Sequence, residues 1–160
     1  MKLWSFLITS VSALSLLDSS HDKEYPNSID HAGILQSLND EDSAAGETIY
    51  KNLCTNCHGA DGRTAPLPTA RAFGSGELKF GKDPYSMFLT LSKGNGLMGP
   101  QTWMTDRERY QVIHYIRETF MRPMRDDFEE INDGYLEALP TVNVVVSEKD
   151  LIQRDFGPAL

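Results

Sequence analysis

An all-α fold is the class this sequence predicts, and three observations predict it. Three segments open on helix start signals and continue with apolar residues at helical spacing. The stretches between them, above all Gly59 to Gly81, are rich in Gly and Pro and read as irregular loop. The first helix ends in a run of chemistry-bearing side chains, Cys54-Thr55-Asn56-Cys57-His58, which asks for a fold built around it.

Met1-Lys2 is followed by the mostly apolar Leu3 to Leu17 and by Ser19-Ser20, the pattern of an export signal, so residues 1–20 are expected to be a signal peptide. Those fifteen residues, diluted by four serines and a threonine, fall short of the ~20 a membrane span needs. Residues 21–42 read as an acidic linker with room for a short helix around Gly33–Leu38. Ser43 is expected to cap the first firm helix, which runs to about Cys57 with Ile49 and Leu53 at i, i+4. Asp83-Pro84 starts a second helix to about Lys93, with proline in its first turn, and Gly94-Asn95-Gly96 ends it. Thr105-x-x-Glu108 is a capping box opening the last helix, Asp106 to about Met121. There Tyr110, Ile113, Ile116 and Phe120 share one face, widened by Val112 and Tyr115, and Pro123 stops the helix.

The formal charge is −8, unevenly spread: −5 over residues 1–43, +2 over 44–121 and −5 over 122–160. A mildly basic centre between two acidic flanks is not a nucleic-acid-binding pattern.

C-x-x-C-H is the run that attaches haem covalently. Two thiols add across the two vinyl groups of one haem, and the adjacent imidazole becomes the proximal iron ligand. A zinc site wants about four ligands, and besides His58 the chain offers only His21, His31 and His114. A redox-active C-x-x-C usually follows a buried strand, whereas a helix precedes this one. A disulfide between the two thiols stays open as an alternative.

The order helix, C-x-x-C-H, loop, helix, Met-bearing loop, helix resembles a class I cytochrome c domain over residues 43–121. The resemblance implies three main helices around one covalently bound haem c, flanked here by acidic and partly irregular segments. Gly46 and Tyr50 match the small and aromatic positions of that family's first helix, and Val112 and Tyr115 match their partners on the last. A glycine lets two helix backbones cross closely. The family completes the iron with a methionine thioether. Met98 is the expected distal ligand, although Gly99-Pro100 departs from the usual Met-Pro, and Met104 is the main alternative. Met87 and His114 are weaker rivals, read respectively as core packing and as an exposed polar position. Pro66 or Pro68 is expected to carry the carbonyl that accepts the imidazole N–H, and Arg71 and Trp103 are candidates for propionate hydrogen bonds. Several segments, among them Pro100-Gln101-Thr102-Trp103-Met104, are similar to the cytochrome segment of large multidomain bacterial haem proteins. In those relatives a Tyr-Leu-x-x-Leu-Pro element follows, here Tyr135 to Pro140. A Gly-Pro-x-Leu segment, here Gly157 to Leu160, then leads into another domain. The tail, residues 122–160, is expected to pack only partly because of its density of acids.

These residues imply a monohaem electron carrier with no catalytic side chains. Its expected setting is the periplasm or another extracytoplasmic space, with a redox donor and acceptor as partners and no stable membrane span. Lys79, Lys82 and Lys93 are candidates for a weak docking surface. Two other classes stay open: a haem electron-entry module of a larger dehydrogenase, and an open-site haem sensor or enzyme.

Overall fold

Capping side chains set where five of the described helices begin. The computed structural model describes residues 29–140. Asp30 accepts from the Gly33 amide to start α1 (His31–Gln36). Asn39 and Asp42 form a reciprocal capping box at the head of α2 (Asp40–Ile49). That helix therefore begins before the expected cap, Ser43, because Asn39-x-x-Asp42 satisfies two orphan amides at once. It continues through a π-helical turn, Tyr50–Cys54, into a last helical turn, α3 (Thr55–His58). Asp83 caps α4 (Pro84–Lys93) with Pro84 in its first turn, as the sequence predicts. Thr105 and Glu108 close the expected capping box of α5 (Asp106–Ile116), and a second π-helical turn carries the chain on to Met121. Asn132 caps the short α6 (Asp133–Glu137). Helices and loops account for the described residues, with no strand among them.

The core forms where α2 and α5 cross. Gly46 is buried against α5, and the ring of Tyr50, one turn later, packs on Tyr115 and Phe120 with centroids 5.6 and 5.1 Å away. Val112, Ile113, Ile116 and Phe120 fill the α5 side, and α4 adds Met87 and Phe88. The Phe88 ring stacks on Tyr110 at 4.8 Å. These side chains bury the apolar stripe that the 3.6-residue spacing encodes.

One segment packs more closely than the sequence suggests, and the described part of the acidic tail packs in part. Within the stretch expected to be a linker, residues 21–42, α1 docks on α5 and His31 is only 7% exposed. The His31 Nδ1 lies 2.8 Å from the Tyr110 hydroxyl, and its ring meets Tyr85 and Phe88 edge-on at 4.8 and 5.0 Å. Arg107 ties the end of α1 to α2: it donates to the Ser37 hydroxyl at 3.0 Å and to both oxygens of the buried Asp42 at 3.0 and 2.7 Å. Beyond the last main helix, residues 122–140 also fold back. Acids of this segment meet cations: Glu130 pairs with Arg122, Asp127 with Arg125 and Lys82, and Glu129 with Lys82, while Arg122 also pairs back to Glu118. The Tyr135 hydroxyl donates to Asp83 at 2.8 Å and accepts from the Tyr85 amide at 2.9 Å, and Leu139 is buried. The expected signal peptide and Gly157 to Leu160 lie outside the described residues. Among the described residues no helix is long and apolar enough to cross a membrane.

Candidate functional site

The π-helical turn Tyr50–Cys54 widens the helix just where Cys54 leaves it. Such turns recur at functional sites because they re-aim side chains without ending a helix. The next turn, α3, carries Cys57 and His58, so all three residues of the motif sit on consecutive helical backbone. Gly59 then ends the helix at φ +82°, with its amide donating to the Thr55 carbonyl at 2.8 Å. A side chain there would collide with the Thr64 backbone, so glycine is demanded both by the φ and by the close approach. The buried hydroxyl of Tyr50 donates to the Gly59 carbonyl at 2.6 Å and so holds the exit from the motif.

Both thiols are free, so the disulfide alternative is not the one the structure adopts. Cys57 is exposed and Cys54 half-buried. Burial, and next the neighbouring Cys57, pushes the Cys54 thiol up to about 11.

His58 is oriented from two sides. Its Nδ1–H donates to the carbonyl of Arg71 at 2.9 Å, which leaves Nε2 with its lone pair free for a metal. The Phe73 ring stacks on the imidazole at 4.7 Å and 22°. The acceptor is therefore Arg71, rather than Pro66 or Pro68. The chain between Gly59 and Arg71 turns back on itself, and the carbonyl that reaches the imidazole is set by that loop path, which no side chain advertises.

Met98 sits half-buried in a tight loop closed by a pair of backbone hydrogen bonds with Asn95, at 2.8 and 3.0 Å. Gly94 and Gly96, at φ +73° and +58°, permit this turn. The Gln101 amide donates to the Leu91 carbonyl at 2.7 Å and docks the loop on the end of α4. The alternative, Met104, is 3% exposed, and Met87 lies within the core cluster beside Phe88. The Trp103 indole N–H donates to the Gln101 side chain at 3.1 Å. Among the lysines expected to form a docking surface, Lys82 is committed to Asp127 and Glu129. Lys79 and Lys93 stay exposed, with Lys79 lying 4.9 Å over the Phe80 ring.

These residues fit a covalently held haem c. They supply two free thiols at the required spacing, an imidazole with a fixed tautomer and a thioether on a separate loop. Exposed apolar side chains stand next to each candidate in the chain: Leu53 beside Cys54, Leu97 (78% exposed) beside Met98, and Trp103 (64%) beside Met104. Residues 43–120 match the family model described as Cytochrome c. No curated protein and no solved structure matches the chain.

Proposed function

We propose, from the premise that residues 43–120 are a class I cytochrome c domain with covalently bound haem c, that this chain is a monohaem electron carrier. In this reading the Cys54 and Cys57 thiols form the thioether links, His58 is the proximal ligand and Met98 the distal one. The observation that carries it is the imidazole of His58 donating from Nδ1 to Arg71 while both neighbouring thiols are free. Bound haem supplies a reversible one-electron iron couple. The chain's own residues hold and tune it. The Arg71 carbonyl makes His58 a better donor through Nε2, and the Met98 thioether favours the reduced iron and raises the potential. Phe73 covers one face of the imidazole. No proton transfer or nucleophile is called for, so the reading needs no catalytic residue.

The same reading places the protein outside the cytoplasm, with residues 1–20 directing export. Redox proteins serve as donor and acceptor, and residues 43–121 are the electron-carrying domain. Lys79 and Lys93 steer encounters at the surface, and Lys82 is occupied by its carboxylate partners.

The test is the mature protein from a host competent for haem attachment. Its mass is expected to equal polypeptide plus one haem, and its ferric spectrum to carry the red charge-transfer band of thioether ligation. Met98→Ala is expected to abolish that band. Loss of the band in Met104→Ala instead reassigns the distal ligand, and a colourless protein of bare polypeptide mass overturns the function.

A further inference from the structure

We propose that Arg125, which lies beyond the matched region 43–120, is a positioning residue for His58. It clamps the loop whose Phe73 ring and Arg71 carbonyl hold the imidazole. The inference rests on His58 being the haem ligand and adds a part of the chain that the family match does not cover.

Arg125 has a side chain only 9% exposed, and its donors are spent on fixed partners. One terminal nitrogen donates to the carbonyls of Phe73 at 3.3 Å and Gly76 at 2.8 Å. Nε and the other terminal nitrogen donate to the two oxygens of Asp127 at 2.9 and 3.1 Å. Asp127 also accepts from Lys82 at 2.9 Å, and these two cations, Arg125 foremost, hold its carboxyl well below the usual range. A guanidinium gripped on both sides of its fork has one orientation, which a single ammonium cannot reproduce.

The neighbouring contacts point the same way. The Met124 sulfur occupies the space where a Gly74 side chain would lie, and the Phe120 ring sits 2.5 Å from a Cβ built on Gly62. The Gly74 amide donates to the Gly62 carbonyl at 2.7 Å. Residues 120–125 therefore press two loops together: the one leaving His58 through Gly62, and the one carrying Phe73 and Gly74. For the imidazole to rotate, it must break its bond to Arg71 and displace Phe73, and Arg125 holds Phe73 by its carbonyl. A proximal histidine's ring orientation and its outer hydrogen bond are levers on the iron it binds.

Two readouts on the ferric holoprotein test this. Hydrogen exchange of the Gly74 amide reads the clamp itself, and the haem-methyl proton NMR pattern reads the orientation of the imidazole plane. Arg125→Ala is expected to speed Gly74 exchange by about tenfold or more and to rearrange the methyl pattern. Arg125→Lys is expected to restore neither fully. Arg107→Ala, which removes an equal charge at the junction of α1 and α2, is expected to lower stability and leave both readouts in place. If Arg125→Ala does not fold, Asp127→Asn loosens the same fork and is expected to give smaller changes in the same direction. Unchanged Gly74 exchange overturns the clamp. Faster exchange with an unchanged methyl pattern overturns the positioning role and leaves Arg125 structural. Wild type without haem resonances defeats the haem reading instead, and Gly74 exchange still judges the clamp.

Discussion

Gly46 meets the backbone of Gln111 where α2 crosses α5: a Cβ built on Gly46 lies 2.6 Å from the Gln111 carbonyl carbon and 3.0 Å from Tyr115 Cβ. The atom it meets first belongs to a helix backbone, which cannot rotate aside as a long side chain would. A methyl group there forces the two helices apart and loosens the Tyr50, Tyr115 and Phe120 cluster behind it.

Gly46→Ala is therefore expected to destabilise the protein despite alanine's higher helix propensity. Overpacking of a close crossing costs about 1–3 kcal/mol, against about 1 kcal/mol that alanine returns in a helix interior. Denaturant unfolding of the holoprotein measures the balance. A variant at least as stable as wild type refutes the close crossing.

Tyr50→Phe isolates one hydrogen bond. The hydroxyl donates to the Gly59 carbonyl at 2.6 Å, both groups are buried, and the ring keeps its packing when the oxygen is removed. Leaving that carbonyl unpaired is expected to cost about 1–3 kcal/mol, seen as a lower midpoint in denaturant with an unchanged slope. A loss below about 0.5 kcal/mol means that water replaces the hydroxyl.

His31 gives stability a pH dependence. Burial lowers its pKa from the ordinary 6.5, opposed by Asp106 and Asp30 and aided by Arg109. The folded protein then holds fewer protons on this ring than the unfolded chain once the pH drops below 6.5. Its contribution is complete above 6.5 and is lost as pH falls from there through the lowered folded value. The expected slope is at most about 1.4 kcal/mol per pH unit. His31→Phe keeps an aromatic ring against Tyr85 and Phe88 and cannot titrate. Unfolding free energies at pH 7 and pH 5.5 are expected to differ in wild type by more than in this variant. Equal differences remove His31 as the source.

Much of the site is legible in the sequence. The thiol and imidazole spacing, the Asp83 and Thr105 caps and the Gly46 crossing are each written in a few neighbouring residues or in a helical period. The start of α2 is written there too: Asn39-x-x-Asp42 is a reciprocal cap, and Ser43 is the weaker of two adjacent cap signals. The acceptor for His58 is not legible, because a backbone carbonyl has no residue type to announce it. The particular anchors of residues 122–140 are hidden as well, because a density of acids says nothing of the cations that meet them in space.

By itself the sequence determined what is local: where helices begin, which thiols flank which imidazole, and that the fold is helical. Tertiary structure alone decided that Arg71 faces His58, that Lys82 is consumed by Asp127 and Glu129, and that Arg125 reaches Phe73 and Gly76. The reason is physical: caps and helical periods act within a turn or two of chain. Those other partners are 13 to 52 residues apart and meet only once the loops have chosen their paths.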